Sequence, residues 1–169
     1  MLSDLLVVAT ETDQPADIAE RELVSTRVLN ASRELVFRAM SEAEHLKQWW
    51  GPTGFRSTVH KFDFRPGGLW HLTMHGPDGT DYKNEYVLLE VVEPERIVIS
   101  HPDPAHSFQL TITLAEVGET NSRLTWRMRF ETAKHCNEVK PFVIDANEQN
   151  LDRLEAELRA LTVSRSGLS

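Results

Sequence analysis

The sequence has little cysteine and lacks long apolar runs. Its one cysteine, Cys136, excludes an internal disulfide framework and is typical of a reducing compartment. The longest apolar run near the start, residues 5–9, is shorter than a signal-peptide core of roughly 7–15 residues, and Asp4 precedes it where a basic region would stand. No run approaches the roughly 20 apolar residues that cross a membrane. We therefore expect a cytoplasmic protein without a membrane span.

Positive charge is scarce as well. The chain has 18 Lys and Arg against 26 Asp and Glu, for a net charge of −8, and no basic cluster interrupts this acidity. Nucleic acid and anionic membranes are therefore poor partners. Hydrophobic residues make up 40% of the 169 residues, enough for one sizeable core. We expect one domain over residues 21–162, a loosely ordered extension over 1–20 and a polar tail over 163–169.

The spacing of apolar residues changes along the chain. Residues 23–29 are rich in β-branched side chains and predict a strand. Ser32 is the predicted N-cap of a helix, and Ser41 with Glu44 forms a capping box for a second, shorter one. From residue 55 to 130, apolar and polar residues alternate between closely spaced turns, which predicts six antiparallel strands.

The last segment returns to helical spacing. Pro141 is expected in the first turn of a long helix, where its missing N–H costs nothing. An apolar stripe containing Val143, Leu151 and Leu154 predicts the buried face, and Arg153 falls among the charged residues of the outer face. One face of the sheet needs an apolar cover, and only this helix is long enough to supply it.

The element order is thus one strand, two helices, six strands and a long helix, which indicates an α+β fold. We predict a curved antiparallel sheet wrapped around the C-terminal helix. The first strand would lie at an edge of this sheet, where strand pairing would allow a homodimer.

Several separated motifs carry a resemblance to a known family. They are Trp49-Trp50-Gly51-Pro52, Phe62-Asp63-Phe64-Arg65-Pro66-Gly67-Gly68, Met74-His75-Gly76-Pro77-Asp78-Gly79, Pro94-Glu95-Arg96-Ile97-Val98 and Asn147-Glu148-Gln149-Asn150-Leu151-Asp152-Arg153-Leu154. Together they resemble the activator of heat-shock protein 90 ATPase homologue family, over residues 21–162. That family belongs to the START-like, or SRPBCC, superfamily with the helix-grip fold. The resemblance implies a mostly apolar cavity between sheet and helix, in which members bind, cyclise or hydrolyse small molecules.

Strand and helix parity predict the residues that would line such a cavity. The apolar members would be Trp70, Met74, Phe108 and Trp126. The alternative for these four is that they fill a solid core. The polar members would be His60, His101, Asn147 and Asn150. Burying a polar group without a partner costs about 1–3 kcal/mol, so these four either converge on the polar end of a ligand or bond to one another, to backbone or to water.

Patterns for catalysis and metal binding are weaker. His60, His101 and Glu148 are the candidates for general acid–base chemistry if all three reach the cavity, although Glu148 would otherwise face solvent. No nucleophile elbow or phosphate-binding loop is present. His71 and His75 are four apart on a strand, hence roughly 13 Å apart, and cannot share an ion. We expect no metal and no cofactor.

Three functions fit this sequence. The leading hypothesis is a START-like binding protein that holds a small apolar or amphipathic molecule between sheet and helix. The second is a cyclase- or hydrolase-type enzyme that uses the same cavity. The third is a regulator of the heat-shock protein 90 ATPase, as the family name implies. The eukaryotic activator also uses a second, N-terminal domain, which residues 1–20 are too short to supply.

Overall fold

The computed structural model describes residues 15–167, and side chains from residue 17 to residue 163. Seven antiparallel strands form one sheet that curves around a long C-terminal helix, in an α+β fold. The helices are α1 (Pro15–Glu20), α2 (Arg33–Ser41), α3 (Ala43–Trp49) and α4 (Ala133–Gly167). The strands are β1 (Glu22–Leu29), β2 (Arg56–Phe62), β3 (Leu69–His75), β4 (Asp81–Val92), β5 (Arg96–His101), β6 (Phe108–Val117) and β7 (Asn121–Phe130).

Strands β2 to β7 form an antiparallel meander, and β1 pairs with β7. The order of the sheet is β1-β7-β6-β5-β4-β3-β2, so that β1 and β2 form the two edges. The predicted order of elements is confirmed, with the short helix α1 added within the segment 1–20; residues 1–14 lie outside the described part. Register shifts in β2 and β4 mark bulges, which bend a sheet locally. None of the helices described is both long and apolar enough to span a membrane.

The helix α2 begins as predicted, whereas α3 does not. The Ser32 hydroxyl accepts a hydrogen bond from the Leu35 amide at 3.2 Å, which confirms the N-cap. The capping box at Ser41 was wrong, because Ser41 is the last residue of α2 and keeps helical geometry. Glu42, in an extended conformation, precedes α3 and makes no side-chain capping bond.

The helix α4 begins eight residues before the predicted start. The Thr132 hydroxyl accepts from the His135 amide at 3.1 Å and so caps the helix just before Ala133. Pro141 therefore lies inside the helix, where it removes one backbone hydrogen bond. The helix continues to Gly167, so the first five residues of the predicted polar tail are helical.

The two halves of α4 are buried to different extents. Leu151, Leu154 and Leu158 in its second half are at most 4% exposed, and the helix packs mainly on β1 and α3. In its first half Val143 is only partly buried, and Phe142 is 76% exposed. The first half of α4 therefore covers the sheet less completely than the second.

Candidate functional site

Trp50 lies at the centre of an aromatic cluster on the inner face of the sheet. Its ring centroid is 4.6 Å from that of Trp70, 5.5 Å from Trp126, 5.9 Å from Tyr86 and 5.5 Å from Trp49. The side chain is 6% exposed, and it donates a hydrogen bond to the Tyr86 hydroxyl. The position of Trp50 directly after α3 directs its indole into the space between sheet and helix. Trp70 and Trp126 therefore face one another across an indole that the chain itself supplies.

The turn that carries Trp50 depends on a glycine. Gly51 has a φ of +102°, a conformation that other residues rarely adopt. A Cβ atom at this position would lie 2.6 Å from Met74 Cε and 3.3 Å from Phe55 Cβ. Met74, predicted to line the cavity, is thus a partly buried side chain that packs against this turn.

Arg153 of α4 holds the same turn through its backbone. Its Nη1 donates to the carbonyls of Trp50 at 3.3 Å, Gly51 at 2.9 Å and Pro52 at 3.0 Å, and its Nη2 donates to the Gln48 carbonyl at 3.0 Å. Burial lowers the pKa of Arg153. Arg153, predicted on the outer face of the helix, is partly buried, with its guanidinium against this turn. The only sequence signal for this contact was the spacing of Arg153, one helical turn after Gln149 and three residues after Asn150. That spacing is also typical of an ordinary surface charge.

The two asparagines on the buried stripe have different surroundings. The Asn150 amide donates to the Trp49 carbonyl at 2.7 Å and so fastens α4 to the end of α3. The Asn147 amide is directed at the Met128 sulfur, 3.4 Å away, which is a weak acceptor. Both side chains are buried, at 6% and 8% exposure respectively. The Asn150 amide therefore has a strong acceptor in the backbone, whereas the Asn147 amide has a weak one in a sulfur atom.

Two donors on the inner face have no acceptor among the described residues. Trp70 and Trp126 are 2% and 3% exposed, and their Nε1 atoms have no hydrogen-bond partner within the described residues. Buried tryptophan N–H groups usually find a partner, and each orphaned donor costs about 1–3 kcal/mol. The inner face therefore presents unused hydrogen-bond donors next to aromatic rings.

His60 does not lie on the inner face, and this prediction was wrong. The register of β2 shifts between Val59 and Lys61, which makes His60 the extra residue of a bulge. The side chain is exposed on the outer face, where its Nε2 lies 2.7 Å from the Thr73 hydroxyl.

His101 lies on the inner face as predicted, next to Phe108. Its ring centroid is 4.8 Å from that of Phe108 and 5.1 Å from that of Tyr86, and the side chain is 7% exposed. Its Nδ1 lies 3.0 Å from the His106 carbonyl across the β5–β6 hairpin. The Nδ1 atom of His101 is therefore used in a hydrogen bond within the hairpin. No group of three His, Cys, Asp or Glu side chains in the described part of the chain is placed to hold a metal ion.

Glu148 belongs to an ion-pair network at the edge of the sheet. Its carboxylate lies 2.6 Å from the Arg27 guanidinium, which also contacts Asp152 at 2.7 Å and Glu155 at 3.0 Å. Arg27 projects from β1, so the network ties α4 to that strand. The three predicted acid–base candidates therefore do not meet in one site. Glu148 is in this ion-pair network, His60 is on the outer face of the sheet, and His101 is bonded within the β5–β6 hairpin.

The asparagine pair yields a testable contrast. We expect Asn150→Leu to lower the free energy of unfolding by about 1–3 kcal/mol, because the Trp49 carbonyl would lose its donor in a buried place. We expect Asn147→Leu, of similar volume, to leave stability unchanged or slightly raised, because the amide it removes has only a sulfur acceptor. Urea denaturation of both variants measures the difference. Equal losses in the two variants would show that the Asn147 bond to sulfur stabilises the fold as much as the Asn150 bond to the backbone.

The family that matches this pattern is described as "Activator of Hsp90 ATPase homolog 1-like protein", and its model matches residues 30–159. The chain belongs to this family. The matched region includes Trp50, Trp70, Trp126, Asn147 and Arg153. No curated protein matches the chain.

Solved structures of several bacterial proteins are similar to this chain in fold. A Nitrosomonas europaea protein is 24% identical with a TM-score of 0.76, covering 84% of this chain and 96% of that chain. A Chromobacterium violaceum protein is 26% identical with a TM-score of 0.70, covering 80% and 95%. An AHSA1 protein of Silicibacter pomeroyi is 21% identical with a TM-score of 0.66, covering 82% and 98%. These likenesses confirm the START-like helix-grip fold.

Proposed function

We propose that the protein is a START-like binding protein that holds a small apolar or amphipathic molecule between the inner face of the sheet and α4. The observation that carries this proposal is the pair of buried indole N–H groups, on Trp70 and Trp126, for which the described part of the chain offers no acceptor. An oxygen atom of a ligand would satisfy such donors, while the aromatic rings would bury its apolar body. Binding sites of this kind are mostly apolar with a few polar groups that fix the orientation.

Binding in this space requires the Trp50 indole to move. Trp50 is joined to β2 by a segment in which Gly51 and Gly54 both have positive φ, at +102° and +90°. The first half of α4 carries the partly buried Val143 and the exposed Phe142. The incomplete cover at this end of α4 supports an entrance there.

The remaining predicted lining residues take different parts in this proposal. Asn147 would exchange its weak acceptor, the Met128 sulfur, for an oxygen atom of the ligand. Met74 and Phe108 are partly buried and would form the rim. Asn150 and His101 would have a structural part, because Asn150 bonds α4 to the end of α3 and His101 bonds across the β5–β6 hairpin.

Native mass spectrometry of the purified protein, followed by thermal shift with a panel of lipids and aromatic compounds, tests the proposal. We expect at least one acceptor-bearing compound to raise the melting temperature. Trp126→Phe keeps an aromatic ring but removes a free donor, and we expect it to weaken binding about fivefold or more. Trp49→Phe is the matched control, because the Trp49 N–H already donates to the Ala39 carbonyl at 2.9 Å. A panel in which no compound stabilises the protein would contradict the proposal.

A further inference from the structure

Arg153 is a partly buried cation whose hydrogen-bond partners among the described residues are all neutral. It donates to four backbone carbonyls between Gln48 and Pro52, and no carboxylate of the described residues forms an ion pair with it. By contrast Arg27, which reaches α4 from β1, has three carboxylates around it. A guanidinium that is partly withdrawn from water without a counter-ion is costly, and an anion beside it would be favoured.

The position of this cation relates it to the aromatic cluster. Its Nη1 lies 3.3 Å from the Trp50 carbonyl oxygen and 3.7 Å from the place of a Cβ on Gly51. The guanidinium therefore sits at the backbone from which the Trp50 indole enters the core. A molecule that took the place of that indole would have its outer end beside Arg153.

We propose that the ligand is a planar aromatic carboxylic acid about the size of an indole with a short side chain, its ring replacing the Trp50 indole and its carboxylate binding Arg153. The inference rests on the proposed binding function and adds the ligand class. A carboxylate matches the fork of guanidinium N–H groups and makes stronger, charge-assisted hydrogen bonds than carbonyls do. The ring would contact Trp70, Tyr86 and Trp126, as the Trp50 ring does.

The same contact would couple binding to opening. The carbonyls of Trp50, Gly51 and Pro52 share the Nη1 group of Arg153, and a carboxylate would compete with them for it. Loss of these bonds would release the turn that carries Trp50. A neutral ligand would leave the guanidinium with its carbonyls and would not favour release in this way. Burial without a carboxylate partner also lowers the pKa of Arg153, in line with an unpaired cation.

Isothermal titration calorimetry of the full chain with 1-naphthaleneacetate and its neutral amide, 1-naphthaleneacetamide, tests the inference. We expect the acid to bind at least about tenfold more tightly than the amide. Arg153→Gln should remove this preference, and Arg153→Lys should keep part of it. Arg159→Gln is the matched control on the same helix, because Arg159 is 69% exposed and lies away from the turn. Tryptophan emission should shift to the red when the acid binds, and the shift should be lost in Trp50→Phe.

The outcomes separate this inference from the function on which it rests. Equal affinity for acid and amide would overturn the role of Arg153 while leaving a binding site in place. Failure of both compounds to bind at millimolar concentration would overturn the ligand class. The thermal-shift measurement with lipids and aromatic compounds tests the binding function separately. Retained preference for the acid in a folded Arg153→Gln protein, with folding checked by circular dichroism, would also overturn the inference.

Discussion

Trp49→Ala is expected to lower the free energy of unfolding by about 3–5 kcal/mol, as large-to-small changes of buried tryptophan do. Trp49 is 0% exposed, and its ring contacts those of Trp50 and Trp126 at 5.5 and 6.3 Å. Its N–H donates to the Ala39 carbonyl in α2. One side chain thus joins α2, α3 and β7, and its removal leaves a cavity among all three. Urea denaturation followed by circular dichroism measures the loss.

Two further variants divide this effect into its parts. Trp49→Phe keeps a ring in the core but leaves the Ala39 carbonyl without its donor, so we expect a smaller loss of about 1–3 kcal/mol. Phe142→Ala is the control for removal of an aromatic ring, because Phe142 is 76% exposed and should change stability by less than about 0.5 kcal/mol. A Trp49→Ala protein within about 1 kcal/mol of the wild type would contradict the central place of Trp49 in the core.

The fold was predictable because its signals are local and repeated. In β6, the inward residues Leu110, Ile112 and Leu114 are each at most 4% exposed, as their alternation with polar residues predicts. The same period recurs in the neighbouring strands, and the β6–β7 pairing places Ile112 opposite Trp126. Since a slip by one residue would expose an entire apolar face, this repetition also determines the register.

Predictions that depended on one residue failed more often. The alternation of His60 with Phe62 continues unbroken in the sequence, yet a single extra residue in β2 turns His60 to the outer face. Pro141 is a strong signal for a helix start, but Thr132 provides a capping hydroxyl nine residues earlier. In both cases tertiary structure overrides a local preference that the sequence alone cannot weigh.

Only the sheet residues that line the candidate site were predictable from the sequence. Trp70 and Trp126 follow from strand parity, and their burial agrees with it. The occupant of the space between them, Trp50, is placed there by the path of the chain after α3. Arg153 lies 103 residues along the chain from the Trp50 carbonyl that it contacts. No period or motif encodes such a distant pairing, so the sequence alone predicts that Arg153 is an ordinary surface charge.

Alkaline pH should destabilise the protein through Tyr86. Burial raises the pKa of Tyr86 to about 12, against an ordinary value of 10.0, despite the opposing hydrogen bond from Trp50. The folded state therefore retains the phenol proton where the unfolded chain loses it. The stability that Tyr86 contributes is complete below about pH 10 and is lost as pH rises towards about 12, by about 2–3 kcal/mol in all. Urea midpoints at about pH 9 and about pH 11.5 measure this loss.

Tyr86→Phe isolates this contribution from the other groups that titrate at high pH. The variant lacks the hydroxyl, so its stability should fall less between the two pH values than that of the wild type. The chain has two tyrosines, so in Tyr82→Phe the absorbance at about 295 nm reports Tyr86 alone and should rise only as pH approaches about 12. A rise centred near pH 10 in the folded protein would mean that water reaches the phenol. The aromatic cluster around Trp50 would then be open rather than closed over Tyr86.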